Sequence, residues 1–140
     1  MLEFRLHKKI ILSSKHKIKF KDMIKCDKPV LVDFYATWCG PCKQLSPIVN
    51  SVKIDLRDKM KVIKVDVEKK KSVSKKYNIK SLPTLAIFQD GKIIWRESGM
   101  KTKTQLLAIA NHYIDSSSES KRGEVKNIEK KKSWFSRLFK

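Results

Sequence analysis

The sequence predicts an α/β protein, a sandwich of three layers with helices on both faces of a central mixed β-sheet. Three observations carry that expectation. Val30–Tyr35 is a nearly continuous apolar run of strand length, which suggests a strand covered on both faces, and Met60–Val67 alternates in part and reads as a second buried strand. Between them Leu45, Ile48, Val49, Val52 and Leu56 recur at helical spacing, which makes a βαβ unit with parallel strands. Downstream, two more strand-like runs meet across Asp90-Gly91, a turn dipeptide that joins antiparallel strands.

Taken in order, residues 1–19 mix charges with short apolar pieces at no sustained period and are expected to be a poorly ordered basic extension, with at most one short strand. Phe20, Met23 and Ile24 then fall at i, i+3 and i+4, the pattern of a short amphipathic helix ending before Asp27-Lys28-Pro29. The strand Val30-Leu31-Val32-Asp33-Phe34-Tyr35 carries one anomaly, an acid in its middle. A helix of about four turns follows the Cys39-Gly40-Pro41-Cys42 turn and contains Pro47, which is expected to kink it. After the second strand comes a lysine-rich helix from about Lys69 to Tyr77, then the hairpin of Thr84–Phe88 and Lys92–Glu97. Thr102 with Gln105 reads as a capping box that opens a last helix through Leu106, Leu107, Ile109, Ala110 and Tyr113. Beyond Asp115 the composition turns to serine and charge. The expected organisation is therefore a folded domain over 20–115 and a basic, disordered tail over 116–140 with an aromatic end.

Composition limits the function classes. With 140 residues there is room for one ordinary domain, and 41% hydrophobic residues exclude wholesale disorder despite 34% charged. The longest apolar run near the start is Ile10-Ile11-Leu12, far short of the roughly 20 residues that span a bilayer, so a cytoplasmic protein is expected. Three cysteines do not make a disulfide-stapled secreted scaffold. The net charge of +19 is spread as +6 over residues 1–29, +8 over 30–115 and +5 over 116–140, so no segment owns it. Of the 33 basic residues 28 are lysine, whereas base-edge and bidentate phosphate recognition favour arginine; no specific nucleic acid is expected.

The chemistry points to Cys39 and Cys42, which bracket Gly40-Pro41 where a buried strand ends and a helix begins. Orphan amides and the dipole at a helix N-terminus favour a thiolate, so Cys39 is the expected nucleophile. Cys42, one turn further in, is shielded yet within reach, as a dithiol–disulfide couple requires. A structural zinc site would need a second ligand pair, and Cys26, His7, His16 and His112 supply none in paired spacing. Covalent haem attachment would need a histidine where Lys43 stands.

The segment Asp33-Phe34-Tyr35-Ala36-Thr37-Trp38-Cys39-Gly40-Pro41-Cys42-Lys43 resembles the active-site segment of the thioredoxin family. The resemblance runs from about Phe20 to Tyr113. It includes Lys64-Val65-Asp66-Val67, Tyr77-Asn78-Ile79-Lys80-Ser81-Leu82-Pro83-Thr84-Leu85, the hairpin at Asp90-Gly91-Lys92, and Gly99. It implies the thioredoxin fold and a protein-disulfide reductase in which Cys39 attacks and Cys42 resolves. Asp33, raised in pKa by burial, would accept the Cys42 proton, the alternative being a buried acid satisfied by hydrogen bonds. Lys64 matches the lysine that faces this aspartate, against the alternative of a solvated lysine. Pro83 matches the cis-proline opposite the cysteines, against a trans turn proline. Trp38, Gly40, Pro41, Leu82, Pro83 and Gly99 would shape the substrate-binding surface; Trp38 as core filler and Gly99 as a simple turn residue are the alternatives. No bound cofactor or metal is implied, electrons coming from a thioredoxin reductase that uses NADPH.

This chain departs from the family pattern at Tyr35, where tryptophan is common, and at Ser81-Leu82 before the proline. Cys26 matches no catalytic position, and is read as an inert thiol with a regulatory thiol as the alternative. In the tail, Lys130-Lys131-Lys132 precedes Trp134, Phe135, Leu138 and Phe139, a pattern open to three readings: disorder, an anionic membrane surface, or a partner groove. The expected partners are a thioredoxin reductase, disulfide-containing client proteins and, through the tail, an anionic membrane at its inner face, the chain itself being a monomer. The competing function is a scaffold of the same fold that engages membrane, nucleic acid or protein through its basic surface and tail.

Overall fold

A computed structural model describes residues 17–138, with side chains described through residue 122. The expectation for residues 1–19 falls almost wholly outside the described residues. In chain order the elements are α1 (Phe20–Met23), β1 (Val30–Tyr35), α2 (Gly40–Leu56), β2 (Lys61–Asp66), α3 (Lys71–Lys76), β3 (Thr84–Gln89), β4 (Lys92–Ser98) and α4 (Lys103–Leu138). The four strands form one sheet in the order β2-β1-β3-β4. β1 pairs with β2 in parallel and with β3 antiparallel, and β3 pairs antiparallel with β4, so the sheet is mixed as the βαβ unit and hairpin require.

Strand alternation divides the core into two layers. Leu31, Val62, Leu85 and Ile87 point to one face, where Leu45, Val49, Val52 and Leu56 of α2 and Leu106 and Ala110 of α4 cover them. Val30, Val32, Phe34, Val65, Ala86 and Phe88 point to the other, against Phe20 and Ile24, with Val73 and Tyr77 packed alongside. An aromatic cluster fills this second layer: Phe20 packs edge-on to Tyr77 and Phe88 at 5.6 and 5.8 Å between centroids, and Tyr77 meets Phe88 at 5.1 Å. In β4 the register shifts so that Ile93 pairs with Phe88 and Trp95 with Ile87, leaving Ile94 over as a bulge residue. That extra residue lets Ile93 join one layer and Trp95 the other, and leaves Ile94 exposed.

The last helix runs past the expected domain end at Asp115. Its capping box forms, with Thr102 N–H donating to Gln105 Oε1 at 2.9 Å and Gln105 N–H donating to Thr102 Oγ1 at 3.2 Å. The helix then runs past Asp115 to Leu138 instead of giving way to a disordered tail at residue 116. The serines that suggested disorder turn their hydroxyls back onto the helix, Ser116 to the His112 carbonyl at 2.8 Å and Ser120 to the Ser116 carbonyl at 3.1 Å. Lysine and glutamate, which dominate the rest, are good helix formers. Lys103 pairs with Asp55 of α2 at 2.8 Å, and Lys121 donates to the Asp27 carbonyl just before β1. The aromatic end of the tail lies outside the residues whose side chains are described.

Candidate active site

The C-terminal end of β1 delivers the chain to the head of α2, and the site is built there. Cys39 is the N-cap of α2 and is disulfide-bonded to Cys42, with their Cα atoms 5.3 Å apart. Cys42 N–H also points at Cys39 Sγ, 3.3 Å away. A backbone donor aimed at that sulfur, together with the helix N-terminus, stabilises negative charge on Cys39 when the bond is reduced. Pro41 sits in the first turn, where a missing N–H costs nothing. Gly40 has open space where a side chain would stand, which leaves the turn accessible. Both cysteines are nearly covered, Cys39 exposing 5% and Cys42 2% of the residue, among Ala36, Tyr35, Val67 and Leu82. Pro47 lies inside α2, and the helix continues through it to Leu56.

The loop before β3 packs against this pair. The Leu82–Pro83 peptide is cis, as the resemblance implied, and Pro83 is buried. Its ring nitrogen donates nothing, and its carbonyl accepts from Gly99 N–H at 2.9 Å. Thr84 Oγ1 donates to the Ser81 carbonyl at 2.6 Å and lies 2.8 Å from Ser98 Oγ, which also accepts from Ser81 Oγ at 2.9 Å. These hydroxyls lock the loop to the end of β4. Sequence reading did not single them out, although Ser81 was noted as a departure.

Trp38 is 67% exposed, which removes the core-filler alternative. Its indole N–H donates to Glu68 Oε1 at 2.8 Å. Glu68 is presented by a turn in which buried Asp66 Oδ1 accepts the N–H groups of Glu68 at 3.0 Å and Lys69 at 3.4 Å. An aspartate directly before a turn is the available sequence signal for that arrangement.

Asp33 is fully buried, and no protein group hydrogen-bonds either carboxyl oxygen. Burial pushes its pKa from 3.8 up to about 6, against an opposing pull from Lys64. Asp33 and Lys64 are register partners across the parallel β1–β2 pair. The lysine nevertheless makes no ion pair with Asp33; its ammonium donates to Ser46 Oγ on α2 and stands 5.0 Å from the centre of the Tyr35 ring. Cys26 donates its thiol to the Lys28 carbonyl at 3.2 Å. Among the described residues no group of three or more His, Cys, Asp or Glu is placed to hold a metal ion, and no helix is long and apolar enough to cross a membrane.

Comparison with known proteins agrees with this geometry. The family model described as Thioredoxin matches residues 11–112, starting ahead of the Phe20 where the resemblance was first placed. The chain is 49% identical over 89 residues to thioredoxin Y1, chloroplastic, of Arabidopsis thaliana, covering 63% of this chain and 52% of that protein. It is 40% identical over 94 residues to a thioredoxin of Pseudomonas aeruginosa, covering 67% of this chain and 87% of that one. The chain thus spans about half the length of the plant relatives it matches. Among solved structures, a thioredoxin variant from Halobacterium salinarum superposes with a TM-score of 0.61 at 31% identity, covering 67% of this chain and 81% of that chain.

Proposed function

The chain belongs to the thioredoxin family, and from that premise we propose that it is a thiol–disulfide oxidoreductase that reduces protein disulfides through Cys39 and Cys42. The observation that carries this reading is the Cys39–Cys42 disulfide at the head of α2 beside the Leu82–Pro83 loop. In the reduced protein the Cys39 thiolate attacks one sulfur of a client disulfide, forming a mixed disulfide and releasing the other client sulfur as a thiolate. Cys42 then gives its proton to the Asp33 carboxylate and attacks Cys39 Sγ. This closes the internal disulfide and releases the second client sulfur. Two electrons pass from this chain to the client, and the state described is the oxidised product of that cycle.

The surface around the sulfurs suits an extended client segment. Trp38, Leu82 and Met100 offer apolar area, and the backbone about Pro83 and Gly99 offers hydrogen-bonding edges. Lys64 is assigned to the charge balance of Asp33. Recharging requires a dithiol donor, and a thioredoxin reductase that draws on NADPH is the proposed one, with no cofactor held by this chain. All groups used come from one chain, so a monomer suffices. A reducing compartment such as the cytoplasm is the proposed setting, with the basic and aromatic tail as a contact to anionic membrane. The intact cysteine pair weighs against a scaffold role alone.

The test is trapping. Cys42→Ser in cell extract is expected to accumulate mixed disulfides with client proteins that dithiothreitol releases, and Cys39→Ser to accumulate none. Equal recovery from both variants would refute the assigned order of attack.

A further inference from the structure

We propose that Ser46 is a positioning residue for the exchange reaction: its hydroxyl holds the Lys64 ammonium beside Tyr35 and off the Asp33 carboxyl, leaving that acid free to take a proton. The inference rests on the reading of Asp33 as the proton acceptor for Cys42.

The layout is set by strand alternation and helical spacing. Asp33 and Tyr35 share the face of β1 that carries Leu31, and Lys64 shares the face of β2 that carries Val62; that is the face covered by α2. Ser46 follows Cys42 by four residues, one turn on, so it lies on the same side of α2 as the resolving cysteine. Lys64 therefore has two competing destinations. One is Asp33, its register partner, whose oxygens have no hydrogen-bond donor from the protein. The other is the rim formed by Ser46 Oγ and the Tyr35 ring, where the ammonium is found. The rim keeps the charge near water, and avoids the desolvation that a buried ion pair demands.

Burial sets the proton affinity of Asp33 first, and Lys64 is the charged side chain that opposes it. Leu85 lies opposite on β3, and α4 brings Leu106 and Ala110 to the same layer. Cys42 of α2 and Cys39 at its N-cap bring thiols once reduced, while Lys43, Lys53 and Asp55 of α2 are exposed to solvent. An ammonium drawn onto the carboxylate would hold it ionised and make it a poorer proton acceptor. The Ser46 hydroxyl prevents that without touching the reacting sulfurs, and no proton or electron passes through it.

Titration of the Asp33 carboxyl by carbon NMR in the oxidised full-length protein tests this. Wild type is expected to show a midpoint near 6. Ser46→Ala, a mild change on a helix surface, is expected to lower it by about one pH unit as Lys64 turns inward. Ser46→Thr, which keeps the hydroxyl, is expected to match wild type. In a Lys64→Met background, Ser46→Ala is expected to move nothing. An unchanged midpoint in Ser46→Ala, or the same displacement with and without Lys64, would overturn the role of Ser46 while leaving Asp33 as acceptor. A wild-type midpoint near 3.8 would instead remove the Asp33 reading, and Ser46 with it.

Discussion

Gly99 N–H donates to the Pro83 carbonyl at 2.9 Å, tying the residue after β4 to the loop that packs on the cysteines. Gly99 holds φ at +101°, a conformation that side chains resist, and nothing stands within 4 Å of where a Cβ would go. The cost of Gly99→Ala is therefore conformational and not a clash. It is expected to destabilise the protein by about 1–2 kcal/mol and to raise the KM for protein clients more than it lowers kcat. Urea unfolding with insulin kinetics checks this, and curves superimposable on wild type would contradict it.

Asp33 links stability to pH with a definite sign. In the unfolded chain it titrates near 3.8 and in the native protein near 6, so between those values the native state holds more protons. Stability therefore falls as pH rises through that window, and the full penalty, about 3 kcal/mol as an upper value, stands above pH 6. Asp33→Asn is expected to gain on wild type by about 2–3 kcal/mol between pH 4 and pH 7.5, measured by urea unfolding of the oxidised proteins. A difference independent of pH would rule this out.

The same acid shapes the rate. Above pH 6 the native carboxylate is ionised and able to take the Cys42 proton, whereas below it wild type has already lost that base. Asp33→Asn is expected to slow client reduction by about 10-fold or more near pH 7.5, with the two proteins converging below pH 6. Parallel pH–rate curves would show that Asp33 is not the acceptor.

A chain ending at Asp115 keeps Leu106 and Ala110 in the core and the capping box at Thr102, but loses the Lys121 tether to Asp27. It is expected to fold and to retain insulin reduction, whereas the full chain is expected to sediment with anionic liposomes at low salt and the shortened chain is not. Equal sedimentation of both would dismiss the tail as a membrane contact.

The sheet was legible because buried strands and the covering helix write their periods directly. Val30–Tyr35 is found as read, and the Asp90-Gly91 turn joins β3 to β4 as the dipeptide indicated. The site was legible where it is local in sequence, from Asp33 to Cys42, and through the resemblance at Pro83 and Gly99. What escaped were contacts between side chains far apart in the chain: Trp38 with Glu68, Lys64 with Ser46, and the Ser81, Thr84 and Ser98 hydroxyls. Short polar residues on exposed positions carry no periodic signal, and their partners are set by packing. The end of α4 was misplaced because serine runs in sequence resemble linkers, whereas here each hydroxyl finds a helical carbonyl.

Catalysis by the Cys39–Cys42 pair is tested most directly by insulin-disulfide reduction with dithiothreitol, comparing the wild-type chain with Cys39→Ser. Wild type is expected to accelerate insulin precipitation at micromolar concentration while the variant stays at the dithiothreitol background. A wild-type chain that does not exceed that background, or a variant that matches wild type, would contradict a reductase working through this disulfide.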